Sequence, residues 1–313
     1  MGTAMVRSGA ISLTAIVALL AAVSEAEGAP ISHQLKTDKI TNGKIVFERN
    51  STIHVMGKNG KHVRPMQRFG YDPQWSPDGK KIAFTRWPPS RSKPALYVMR
   101  ANGKGRHRVT PSRGLGDADP SWSPGGRAIT FVRSSDQGFS LLRVAVDARG
   151  RAKTKPVTIY SSEQGVYDPS WSPDGKRIAF AMDYANSVDI FTIRARGKGA
   201  PRRLTSDARR TDLQPDWSPD GSRIVFMGAF RPGVSGIFSM KANGSGQTNL
   251  LHEAGVYGSE PAWSPNGKMI VFVGSNASTY VGIFTMRANG QGTLNGLNVN
   301  SGDRSPDWQP VRG

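Results

Sequence analysis

The chain has 313 residues, room for one large all-β domain or two ordinary ones, and it contains no cysteine. That absence excludes disulfides, thiolate zinc sites, a cysteine nucleophile and a cysteine-linked lipid anchor. A formal charge of +19 either favours anionic partners or is spread as Lys and Arg over solvated turns, and 36 glycines with 21 prolines require many turns.

In chain order, the first expected element is a signal peptide over residues 1–26. Arg7 supplies a positive start, and residues 11–23 (ISLTAIVALLAAV) form an apolar run too short to span a bilayer comfortably. Ser24 and Ala26 place small residues where a signal peptidase reads, predicting a cut between Ala26 and Glu27. A retained N-terminal anchor is the alternative. No later segment is apolar enough for a transmembrane helix, so the mature protein is expected to be exported, either periplasmic or secreted. Residues 27–39 read as a short extension.

Three short strands follow at residues 44–47 (KIVF), 53–56 (IHVM) and 62–66. Then a motif recurs: DPQWSPDGKKIAF from Asp72, DPSWSPGGRAITF from Asp119, DPSWSPDGKRIAF from Asp168, QPDWSPDGSRIVF from Gln214 and EPAWSPNGKMIVF from Glu260. A truncated SPDWQP begins at Ser305. Trp75, Trp122, Trp171, Trp217, Trp263 and Trp308 are spaced 45–49 residues apart. That period points to a propeller blade or a long helical repeat.

The local pattern decides between them. The IAF, ITF and IVF runs place apolar residues two apart, which is strand periodicity. A second alternating run follows each (LYVMRANG, DIFTIRARG, GIFSMKANG, GIFTMRANG), then a glycine turn and a weaker strand, as at residues 108–110 and 203–205. Four short strands per unit describe a propeller blade. The first unit lacks a tryptophan strand and the chain end supplies only one. The fold expected over residues 40–313 is therefore an all-β, six-bladed β-propeller with four antiparallel strands per blade. One blade is assembled from residues 40–66 and 303–310, so the C-terminal strand closes the ring. SPDG reads as a turn, and the tryptophan as a wedge between blades. Trp171 and Asp174 are thus architecture, as are their copies.

Tandem DPxWSPDGxxIxF units followed by IYxMNADG-like segments resemble the WD40-like PD40 repeats of TolB-type six-bladed propellers. The resemblance covers residues 40–310. It implies an exported propeller that binds other proteins, as in the bacterial cell-envelope Tol–Pal system. TolB resembles a two-domain protein with a small α/β domain ahead of its propeller. Here about a dozen residues separate the expected cleavage point from the first strand, so the expectation is a propeller without that N-terminal domain.

The DP step begins each inner strand and should ring one mouth of the channel. It reads Asp72, Asp119, Asp168, Gln214, Glu260 and Ser305, four carboxylates in a strongly basic protein. Asp117, Asp212 and Asp303, two residues earlier, are expected to add to that rim. Three roles compete for the ring: local turn capping, recognition of a basic segment of a partner protein, and binding of a hard cation such as calcium. Tyr71 and Tyr167 precede two ring acids and are expected to offer contact surface.

Catalytic patterns are absent from the sequence. His252-Glu253 lacks the second histidine of a zinc-protease helix, and residues 233–236 miss the spacing of a nucleophile elbow. No P-loop or dinucleotide fingerprint occurs. His62 and His107 share a repeat position on different blades. Basic clusters at residues 104–108, 149–155 and 194–203 fall in blade-edge hairpins. The leader argues against nucleic acid as target.

The expectation is a monomeric, non-enzymatic binding scaffold of the cell envelope, with no resident cofactor, recognising a partner protein through Asp72, Asp119, Asp168, Gln214, Glu260, Tyr71 and Tyr167. The alternatives are a calcium-dependent propeller hydrolase of lactonase or esterase type using the same ring, and electrostatic binding to anionic envelope polymers.

Overall fold

The computed structural model describes residues 40–312 except 91–92, 112–115, 232–233, 252–255, 277–280 and 301. The expected signal peptide and the extension 27–39 lie outside the described residues.

Blades 2–6 each start with a hairpin whose turn is an SPDG tetrapeptide or its SPGG or SPNG variant. In the second blade, the Gly79 N–H donates to Ser76 O at 2.8 Å, and Gly79 adopts φ +65°, a conformation that favours glycine. Asp78 Oδ1 accepts from Ser76 Oγ at 2.5 Å and from the Lys80 N–H at 3.1 Å. Asp174 and Asp220 repeat the serine contact at 2.6 Å. These aspartates spend their oxygens on their own turns, which confirms their architectural role.

The strand leaving the turn is buried on both faces, because a neighbouring blade covers each side. Ile82, Ala83 and Phe84 are fully buried, and the six equivalent phenylalanines, Phe47 to Phe272, are each below 2% exposed. Removing a phenylalanine of this kind from water is worth roughly 1.5–3 kcal/mol. The tryptophans lie between blades as expected. Trp122 packs against Ala83, Leu96 and Val98 of the preceding blade and Ile129 and Phe131 of its own.

The result is six four-stranded antiparallel sheets. The inner strands are Gly70–Trp75, Gly116–Trp122, Val166–Trp171, Thr211–Trp217, Val256–Trp263 and Asp303–Arg312. Each touches the next, and the last touches the first. The last belongs to the first blade, where it pairs with Ile40–Arg49 through Ile45 opposite Trp308. Blade 1 is therefore built from both ends of the described chain, with blades 2–6 in sequence between them. Gln309 Nε2 also donates to Gly79 O at 2.8 Å, tying the closing strand to blade 2. Closure encloses the short inner edges of the six sheets around the channel.

A break in register sits on the inner strand of blades 2–6: between Tyr71 and Gln74, Ala118 and Ser121, Tyr167 and Ser170, Leu213 and Asp216, and Ser259 and Ala262. Each spans a DP-type step. Proline has no N–H for the ladder, and the residue before it takes a left-handed conformation in all six blades, with φ between 48° and 55°. A non-glycine residue there costs on the order of 1–3 kcal/mol and persists only when its surroundings enforce it. The bulge re-aims the preceding side chain, here into the channel.

Candidate functional site: an acid-lined channel mouth

Asp72, Asp119, Asp168, Gln214, Glu260 and Ser305 line one central cavity of about 200 Å³, floored by the six prolines that follow them. All six are half-buried. They are linked around the ring. The Gln214 N–H donates to Asp168 Oδ2 at 3.2 Å, the Glu260 N–H to Gln214 Oε1 at 2.8 Å, and the Ser305 N–H to Glu260 Oε2 at 2.5 Å. Ser305 Oγ then donates to Asp72 Oδ1 at 3.4 Å. The side chains of Asp168, Gln214 and Glu260 thus cap the strained backbone of the next blade, so turn capping acts between blades.

A second tier, absent from the sequence reading, lies two residues further along each inner strand. Gln74, Asp216 and Asp307 also line the cavity. Their side-chain oxygens accept the backbone N–H of the next blade's tryptophan: Gln74 from Trp122 at 2.7 Å, Asp216 from Trp263 at 2.8 Å and Asp307 from Trp75 at 2.6 Å. The third letter of DPxW carried a signal, since it is polar in five of the six copies.

Crowding carboxyls in a narrow, poorly solvated space raises their pKa. Burial is the first cause and mutual repulsion adds to it. Asp168 and Glu260 are pushed up to about 7, Asp216 to about 6 and Asp307 to about 8. Asp72 is raised and Asp119 is raised well above its ordinary value, by burial first and, for Asp119, by repulsion from Asp72 and Asp168 next. Glu48 joins the group: burial, then repulsion from Asp72, lifts it to about 7. The exposed Arg304 works in the opposite direction on both Glu48 and Glu260.

Two expectations are corrected. Asp117, Asp212 and Asp303 are not rim groups. They are fully buried and ion-paired with Arg133, Arg210 and Arg49 at 2.6, 2.5 and 2.6 Å. Each arginine also lies over a core phenylalanine: Phe131, Phe226 and Phe47 respectively. An acid at that depth needs a fixed cation, and the sequence does not show which arginine reaches it. Tyr71 and Tyr167 are half-buried and do not line the cavity. Tyr167 instead donates to Asp183 Oδ2 at 3.2 Å and its ring meets that of Phe139.

For a hard cation, the oxygens are numerous, but many already accept inter-blade N–H groups. Among the described residues, no three acidic or histidine side chains come together in a metal-holding arrangement.

The model of the TolB beta propeller domain matches residues 151–312. No curated protein matches the chain. Among solved structures, TolB from Acinetobacter baumannii is 21% identical with a TM-score of 0.69, over 85% of this chain and 66% of that one. The putative TolB from Agrobacterium tumefaciens is 20% identical with a TM-score of 0.67, over 87% of this chain and 99% of that one. Hydrazine synthase from Kuenenia stuttgartiensis superposes with a TM-score of 0.72 at 16% identity, over 87% of this chain and 47% of that one. Such identities establish a shared fold. With six blades, a channel ringed by DP-type steps and a family match over more than half its length, the chain belongs to the TolB beta propeller domain family.

Proposed function

We propose that this propeller is an exported, non-enzymatic scaffold of the cell envelope that holds a basic segment of a partner protein at its acid-lined mouth. One observation carries this proposal: carboxyls of several blades converge on one small cavity, where burial and repulsion lift Asp168 and Glu260 to about 7. A lysine or arginine entering from a partner relieves that repulsion and lets the ring ionise. The TolB-like structural neighbours are consistent with a binding role. The same ring filled by calcium, with esterase or lactonase activity, is the competing outcome, and an enzyme stands among the neighbours.

The test is capture of envelope proteins at physiological salt by the wild-type protein and by a folded Asp72→Asn, Asp119→Asn, Asp168→Asn variant. A captured protein that is lost with the variant supports the proposal. Its affinity should also rise from pH 6 to pH 8, because a cationic ligand prefers the ionised ring. Equal capture by both proteins, or calcium-dependent ester hydrolysis lost in the variant, refutes it.

A further inference from the structure

The face opposite the acidic mouth is built from the SPDG turns and the turns after each third strand. Arg100, at the end of one third strand, stands opposite Lys81, which leaves the SPDG turn. On this face a cleft of about 680 Å³ opens between blades 2 and 3. Its lining includes Lys80, Lys81, Arg100, His107, Arg149 and Arg151, with Asp78 as the one acid.

The equivalent clefts serve as internal controls. Between blades 5 and 6 the lining sets Arg223 against Asp220. Between blades 4 and 5 it sets Arg177 and Arg202 against Asp174 and Asp220. Only the copy between blades 2 and 3, among these three, is strongly cationic. The difference comes from the connection after the third strand of blade 3, where the sequence reads VDARGRAKTK in place of the usual ANG turn. Asp147 Oδ1 accepts the N–H groups of Arg149 at 2.9 Å and Arg151 at 2.8 Å, which fixes the turn. Gly150 has φ +81°, and a Cβ there would come within 2.7 Å of Val98 Cγ1, so this glycine lets the turn lie on blade 2.

The acids nearby, Asp78 and Asp147, offset only part of the charge of Lys80, Lys81, Arg100, Arg149 and Arg151. Asp78 is committed to Ser76, the Lys80 N–H and Lys81 Nζ, the last at 2.8 Å, and Asp147 to its own turn. Lys80, Arg100, Arg149 and Arg151 are exposed, and among the described residues they form no direct ion pair. Several cations of this kind around one concavity match the charge and the multiple oxygens of a phosphate group.

We propose that the cleft between blades 2 and 3 is a phosphate-binding site, with Lys80, Arg100, Arg149 and Arg151 as its donors. It is independent of the acidic mouth and does not rest on the function proposed for that mouth.

The experiment is calorimetric titration of the purified chain with tripolyphosphate in 0.1 M salt. Arg149→Gln with Arg151→Gln should weaken binding at least about tenfold, the scale of a lost charge-assisted contact. Lys176→Gln with Arg196→Gln removes the same charge from exposed turns of blade 4 and should change it less than about twofold. Gly150→Ala removes no charge and should also weaken binding by lifting the turn. Equal losses in both charge pairs, an unaltered Gly150→Ala variant, or no binding by the wild type would overturn the proposal. Vesicles containing phosphatidylglycerol and a soluble poly(glycerol phosphate) then separate the sources. The one whose binding depends on Arg149 and Arg151 names the ligand, and tripolyphosphate dependence alone assigns small soluble phosphates.

Discussion

Replacing Asp307 by Asn should stabilise the protein, and more so as pH rises. Asp307 accepts the Trp75 N–H at 2.6 Å, a contact the amide oxygen of Asn preserves. Burial, with repulsion from Asp216, raises the carboxyl to about 8 from its ordinary 3.8. A group with a raised folded-state pKa binds more protons folded than unfolded, so stability is greatest below the unfolded value and is lost as pH climbs through the folded one. From pH 5 up to the folded value of about 8 the span is about 3 pH units at 1.36 kcal/mol each, or about 4 kcal/mol, and solvent in the funnel reduces this to roughly 2–4 kcal/mol. Urea unfolding of both proteins at the two pH values gives the measurement. The advantage of the variant should grow by that amount from pH 5 to pH 8.5. A difference that stays constant with pH would show that the carboxyl is well solvated, and the account of the inner tier would fail.

Three further outcomes follow from packing. Asp212→Ala strands the buried Arg210 guanidinium and should cost about 3–5 kcal/mol, seen as a large drop in Tm. Gly79→Ala should be more harmful than Gly126→Ala, although both glycines have φ near +65°: a Cβ at 79 would fall 2.2 Å from Pro310 O, whereas the nearest atom at 126 is 3.9 Å away. Chemical denaturation of the pair resolves steric cost from backbone strain. Deleting residues 303–313 removes the inner strand of blade 1 and exposes Ile45, Val46 and the flank of Trp75. The truncated chain should lose cooperative unfolding and aggregate, monitored by light scattering and circular dichroism.

The sequence by itself determined the blade count, the strand content of each blade and the split first blade. These are local properties: the turn chemistry of SPDG, the period-two apolar runs and the tryptophan spacing act within one repeat, and six copies reinforce the same signal. It also located the residues that ring the mouth, because a polar residue followed by proline recurs near the start of each inner strand. What only the tertiary structure decided is how those residues behave. The left-handed backbone before each proline runs against the usual preference of that position, and it is held by side chains from the neighbouring blade, about 46 residues away for Glu260 and Gln214. Asp117 and Asp303 meet arginines on the paired strand of their own blade and Asp212 meets one two residues away, whereas the inner tier of Asp216 and Asp307 and the raised pKa values depend on distances across blades. Closing the ring brings those distances into being, so no single repeat contains them.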